Sequence, residues 1–129
     1  MANRADDWMN QARRDLEHSE EAQRAGRHEW ACFAAYQAAE KAVKALHLHL
    51  GQEAWGHVVA QLLSELPATA EPHAELVDRA KVLDNFYVPT RYPNSHPSGA
   101  PFEHYGPFQS GEALEHAREI LGFVDSKMA

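Results

Sequence analysis

The segment Arg91-Tyr92-Pro93-Asn94-Ser95-His96 sets a guanidinium and an imidazole on a proline-braced stretch with four residues between them. Arginine is permanently cationic, and its planar fork suits phosphate oxygens. Histidine is the side chain best poised to move a proton near neutral pH. Together the pair could cleave RNA without a metal. His96 would take the proton of a ribose 2′-hydroxyl, and Arg91 would hold the charge growing on the attacked phosphate. A plainer alternative ties Arg91 to Asp84 or a neighbouring carboxylate as a strap on the loop and leaves His96 in solvent.

Nine histidines invite a metal site, but the spacings argue against one. Four-helix di-iron centres need Glu-x-x-His pairs facing inward, and no glutamate here has a histidine three residues later. His47 and His49 diverge by about 200° around a helix and cannot chelate together. His-Glu-x-x-His, Gly-rich phosphate loops and Gly-x-Ser-x-Gly elbows are also missing. Solvated or capping histidines are expected, with no metal and no cofactor.

Further polar and aromatic residues could serve a ligand. Lys41 and Lys44 share a helix face with Gln37 and Glu40. That face reads as a solvated stripe, or as one wall of a groove for a phosphate. Tyr87, Tyr92 and Asn94 flank or follow the arginine and are candidate contacts to a nucleotide or RNA. With Tyr105, the two tyrosines could equally close the loop. His57 is expected near the start of a helix rather than as a catalyst. Trp30, Phe33 and Tyr36, at helical spacing, are expected in the core rather than as a base-stacking platform.

Helices must position these groups. Asn3 can cap a first helix with Asp6 and Asp7 in its opening turn, where acids favour the positive helix end. Its stripe is Ala5, Trp8, Met9, Ala12 and Leu16, and Gly26 marks its end. A second helix, 27–50, carries a seam of Phe33, Tyr36, Val43, Leu46 and Leu50. Its many alanines let neighbours approach closely, which makes it the centre of the fold. A third carries Val58, Val59, Leu62, Leu63 and Leu66 before Pro67. A fourth opens near Glu71-Pro72 with Leu76, Val77, Ala80, Leu83 and Tyr87 on one stripe, and a fifth spans 111–126. No stretch alternates with period two. The expected fold is all-α, an antiparallel bundle of four to five helices in a single domain over 1–129. Five prolines between Val88 and Gln109 exclude helix there. The aromatic residues among them predict an ordered loop clamped against the bundle.

The 129 residues include 12 Lys+Arg against 19 Asp+Glu, a net charge of −7 with histidine neutral. Nucleic-acid affinity comes mainly from neutralised phosphates, so any RNA or nucleotide must be met at a local site. Charging every histidine would carry the sum to +2. One cysteine, Cys32, excludes an internal disulfide. The longest apolar run falls far short of the ~20 residues of a membrane span, and the first residues lack a secretion signal. A soluble cytoplasmic protein is expected. Trp8, Trp55, Phe102 and Phe108 are more aromatic surface than a small bundle hides, which predicts self-association.

The run Tyr36-Gln37-Ala38-Ala39-Glu40-Lys41-Ala42, with His57, Leu83-Asp84, Tyr87 and Thr90-Arg91-Tyr92-Pro93, resembles the HEPN family of small helical nucleotide-binding domains. The resemblance covers nearly the whole chain. It implies a four- to five-helix bundle, a homodimer or higher oligomer, and for many members a minimal nucleotidyltransferase partner acting as antitoxin. In ribonuclease members Arg-x4-6-His is catalytic at a composite dimer site, and Arg91 and His96 match it. Two positions depart from that pattern. Tyr92 stands where active members carry a small polar residue, and Ser98 stands where adenylylation-silenced toxins carry tyrosine. The Arg-Tyr-Pro branch looks more like nucleotide-binding partners of nucleotidyltransferases.

Overall fold

The computed structural model describes residues 3–129, an all-α bundle of five helices: α1 (Ala5–Arg24), α2 (His28–His49), α3 (Val59–Ser64), α4 (Ala74–Asp84) and α5 (Pro107–Met128). The Asn3 carboxamide accepts the Ala5 N–H at 2.8 Å and starts α1, with Asp6 and Asp7 in its first turn. Gly26, at φ +77°, turns the chain back into α2. That left-handed conformation is open to glycine without strain.

The second helix is the hub, packing against α1, α5, α3 and α4. Its alanines at 31, 34, 35, 38, 39, 42 and 45 are all buried, and these small side chains bring the neighbouring helices close. Ser19 of α1 donates to the Ala31 carbonyl at 2.6 Å across that contact. Tyr36, Leu46, Leu62, Leu63, Leu83 and Ile120 fill the core, each with essentially no exposed surface. Among the described residues no helix is long and apolar enough to cross a membrane.

Several boundaries differ from the sequence reading. The third helix is only six residues long, and Val58 lies outside it on the surface. The fourth starts at Ala74 and stops at Asp84, so Tyr87 belongs to the turn beyond it. The fifth begins at Pro107, inside the segment where proline was expected to exclude helix. The reason is positional, since proline is tolerated where a helix lacks an N–H partner anyway. Pro93 and Pro101 likewise open the 3-10 turns Pro93–Ser95 and Pro101–His104. The intervening chain is clamped, as expected. The Thr90 hydroxyl is buried and donates to the Phe86 carbonyl at 2.7 Å, and Phe86 meets the Tyr105 ring edge-on at 6.1 Å.

Two expectations about burial are corrected. Trp30 is 45% exposed rather than core, since it lines an open groove between α1 and α2 beside Asp15 and His18. His47 is buried rather than solvated, its Nε2 2.8 Å from the Leu62 carbonyl, where it pins α3 to α2.

Candidate functional site

The Arg91 guanidinium lies in an aromatic cradle. Its central carbon is 4.5 Å from the Phe33 ring centroid, 5.0 Å from Tyr87 and 5.1 Å from Tyr92. Its Nε donates to the Tyr87 carbonyl at 2.8 Å, which aims the fork. Among the described residues no carboxylate lies within ion-pairing distance of it, so the alternative strap to Asp84 or a neighbouring carboxylate is not made. Asp84 is committed elsewhere: its two carboxylate oxygens accept the Val59 and Ala60 N–H groups at 2.7 and 3.1 Å and start α3. Burial raises the Asp84 carboxyl above its ordinary value, outweighing those two N–H donors. A guanidinium held by ring faces, with no counter-charge, keeps its outer N–H groups for an external anion.

His96 stands apart from this cradle, joined to Arg91 by no hydrogen bond and no ring contact. Its Nε2 donates to the Pro89 carbonyl at 2.7 Å. Its ring stacks in parallel on His104 at 4.2 Å and meets Tyr105 edge-on at 6.0 Å. In the neutral ring, donation from Nε2 leaves the Nδ1 lone pair free. Asn94 is exposed on the 3-10 turn between the two residues, and Tyr92 is 49% exposed beside the guanidinium.

Behind Tyr87 lies a polar knot. Glu40 is buried, and its Oε2 accepts Lys44 Nζ at 2.9 Å and His57 Nδ1 at 3.2 Å. Its Oε1 is 2.8 Å from the Tyr36 hydroxyl, which also meets the His57 carbonyl. Burial alone would raise the Glu40 carboxyl, but the Lys44 ammonium, the Tyr36 hydroxyl and His57 together hold it below its ordinary value. Burial first, and then the Glu40 carboxylate, push the Tyr36 phenol well above its usual range. The His57 ring stacks on Tyr87 at 5.0 Å, and Tyr36 packs on Tyr87 at 5.3 Å. A continuous path of contacts therefore runs from Lys44 through Glu40, His57 and Tyr87 to Arg91.

Sequence reasoning missed Phe33, His57 and Glu40 as parts of this arrangement. Only the Gln-Ala-Ala-Glu-Lys-Ala run hinted that Glu40 mattered. The lysines are engaged rather than free. Lys41 pairs with Asp15 and donates to Gln37 Oε1 at 3.1 Å, and Lys44 lies 5.9 Å from the Trp8 ring. Among the described residues no three of His, Cys, Asp and Glu gather as a metal site.

Comparison with known proteins agrees with this architecture. The family model for the HEPN domain matches residues 5–127. The chain is similar to TT1696 from Thermus thermophilus, at 50% identity and a TM-score of 0.95, over 98% of this chain and 99% of that one. An archaeal HEPN homologue, ST0689, is 38% identical with a TM-score of 0.85, covering the full length of both chains. A HEPN domain protein from Thermotoga maritima is 36% identical with a TM-score of 0.74, over 92% of this chain and 94% of that one. No curated protein matches.

Proposed function

The chain belongs to the HEPN domain family, and from that premise we propose that it is a nucleotide-binding module in which Arg91 receives a phosphate. One observation carries this reading: the guanidinium is stacked among Phe33, Tyr87 and Tyr92 with no carboxylate partner among the described residues. Cation–π contact orients the fork without consuming its N–H groups, which remain for bidentate phosphate oxygens. Tyr92 and Asn94 lie beside the approach. Lys41 and Lys44 act from behind, through Asp15 and Glu40, rather than on the ligand.

Calorimetry with ATP, GTP and AMP tests it. Wild type binds at least one of them, and Arg91→Ala weakens that binding by roughly ten- to a hundredfold, as expected for charge-assisted hydrogen bonds. Arg91→Lys falls between, because an ammonium keeps the charge and loses the fork. Equal affinity in wild type and Arg91→Ala removes the reading. The natural partner in this picture is a minimal nucleotidyltransferase, and the working unit is a homodimer closed over exposed aromatics such as Trp55 and Phe108, 80% and 94% exposed.

A second reading rests on the His96 tautomer. With Nε2–H given to Pro89, Nδ1 is a base able to take a ribose 2′-hydroxyl proton. The 2′-oxygen would then attack phosphorus, the 5′-oxygen would leave and take a proton from water, and Arg91 of either subunit would hold the phosphate charge. That makes the protein a metal-independent endoribonuclease and the toxin half of a pair. RNA cleavage that persists in chelator and vanishes in His96→Ala supports this second reading. Absence of cleavage in wild type leaves the binding module alone.

A further inference from the structure

A groove of about 240 Å³ runs between α1 and α2, lined by Asp15, His18, Trp30, Phe33, Gln37 and Lys41. Phe33 links it to the arginine cradle: one ring is 4.5 Å from the Arg91 guanidinium and 6.2 Å, edge-on, from Trp30. Trp30 itself is 45% exposed, although it sits on the helix that forms the hub of the core.

We propose that this groove is a nucleobase subsite, in which a base stacks on Trp30 while the phosphate of the same nucleotide sits on Arg91. The proposal rests on the Arg91 reading above and adds what that reading leaves open, the place and chemistry of the base. Three features argue for it. Indole offers a large flat face, and stacking on such faces is how proteins hold unpaired bases without needing a particular sequence. The groove is smaller than the roughly 300–1,000 Å³ of sites that enclose a drug-sized ligand, which suits one base and not a whole nucleotide. Its polar wall also has capacity to spare. Lys41 Nζ occupies Asp15 and the Gln37 oxygen, so the Gln37 amide N–H groups remain to meet acceptors on a base edge. A mononucleotide is long enough to place its phosphate on one side of Phe33 and its base on the other.

ATP and inorganic tripolyphosphate separate the two halves of the site, since they share phosphates and differ by the nucleoside. The Trp8→Phe/Trp55→Phe double variant leaves Trp30 as the sole indole, and its fluorescence reports the groove directly. The expected result is quenching by ATP and none by tripolyphosphate. Trp30→Ala, in the otherwise native chain, then weakens ATP roughly ten- to a hundredfold and leaves tripolyphosphate unchanged by calorimetry. Unaltered ATP affinity in Trp30→Ala, without quenching in the single-indole variant, overturns the subsite and leaves the Arg91 reading intact. A Trp30→Ala variant that halves its mass by light scattering while binding ATP normally also overturns it, and makes the groove a contact between copies of this chain. Failure of wild type to bind either ligand overturns both readings together.

Discussion

The Arg91 guanidinium stacks on Phe33, 58 positions earlier in the chain, with its central carbon 4.5 Å from the ring centroid. This contact fastens the proline-braced loop to the central helix, and among the described residues the fork of the arginine has no carboxylate partner. Glu40 extends the same logic inward. It satisfies Lys44, Tyr36 and His57 at once, and His57 in turn supports the Tyr87 ring under the arginine.

Removing that carboxylate takes a partner from the buried Tyr36 hydroxyl and leaves the partly buried Lys44 ammonium unpaired. Glu40→Ala is expected to lose about 3 kcal/mol of stability, the usual cost of breaking one side of a buried pair. Glu40→Gln keeps an acceptor for Tyr36 and loses less. Urea unfolding at neutral pH measures both. Equal stability of Glu40→Ala and wild type would mean that the knot contributes nothing.

Acid should affect Glu40 and Asp84 in opposite ways. Glu40 titrates below its ordinary 4.5 in the folded state. Its contribution is therefore full above the unfolded value and is lost as pH falls through the folded one. Asp84 titrates above its ordinary 3.8, so its contribution is full below the unfolded value and declines as pH rises through the folded one. The stability gap between wild type and Glu40→Gln should shrink from pH 7 to pH 3. The gap for Asp84→Asn should widen over the same range. Gaps that move in parallel contradict these surroundings.

Cys32 has no exposed surface, and burial, then Glu29 and Glu112, push its thiol up to about 12. The thiolate is the nucleophile, so iodoacetamide should leave native protein unmodified at pH 8 and alkylate it in denaturant. Rapid native alkylation would show that the α2 core opens easily.

Gly99 sits at φ +81°, where an added Cβ would meet Glu103 Oε2 at 3.0 Å and His104 Nε2 at 3.2 Å. Gly99→Ala should cost about 1–2 kcal/mol for the left-handed backbone alone. It should also disturb the His104 bond to the Ser98 carbonyl, 2.7 Å long in the native loop. Thermal unfolding reads the first effect, and loss of the His96–His104 ring-current shifts by proton NMR reads the second.

The helices were legible in the sequence because each buries a stripe at three- and four-residue spacing, and the alanines of α2 identified the hub. The loop was legible as ordered because Tyr105 and its aromatic neighbours had to be covered. The ends of α1 and α2 were legible too, but the start of α5 was not, since Pro107 is a breaker inside a helix and a good opener at its first residue. The partners of Arg91 were hidden for a different reason. Asp84 was the nearest charge in sequence, but the unpaired N–H groups of α3 claimed it, a competition visible only once α3 and α4 are packed together. Trp30 looked like core because its spacing from Phe33 and Tyr36 is helical. Periodicity assigns a face and says nothing about whether the seam between two helices stays open as a groove along it.

Phosphorus-31 NMR of ATP titrated with wild type, Arg91→Lys and Arg91→Ala examines the arginine cradle most directly. A phosphate-holding Arg91 gives a clear phosphate shift with wild type, a smaller one with the lysine variant and none with the alanine variant. Identical shifts with all three proteins would contradict it.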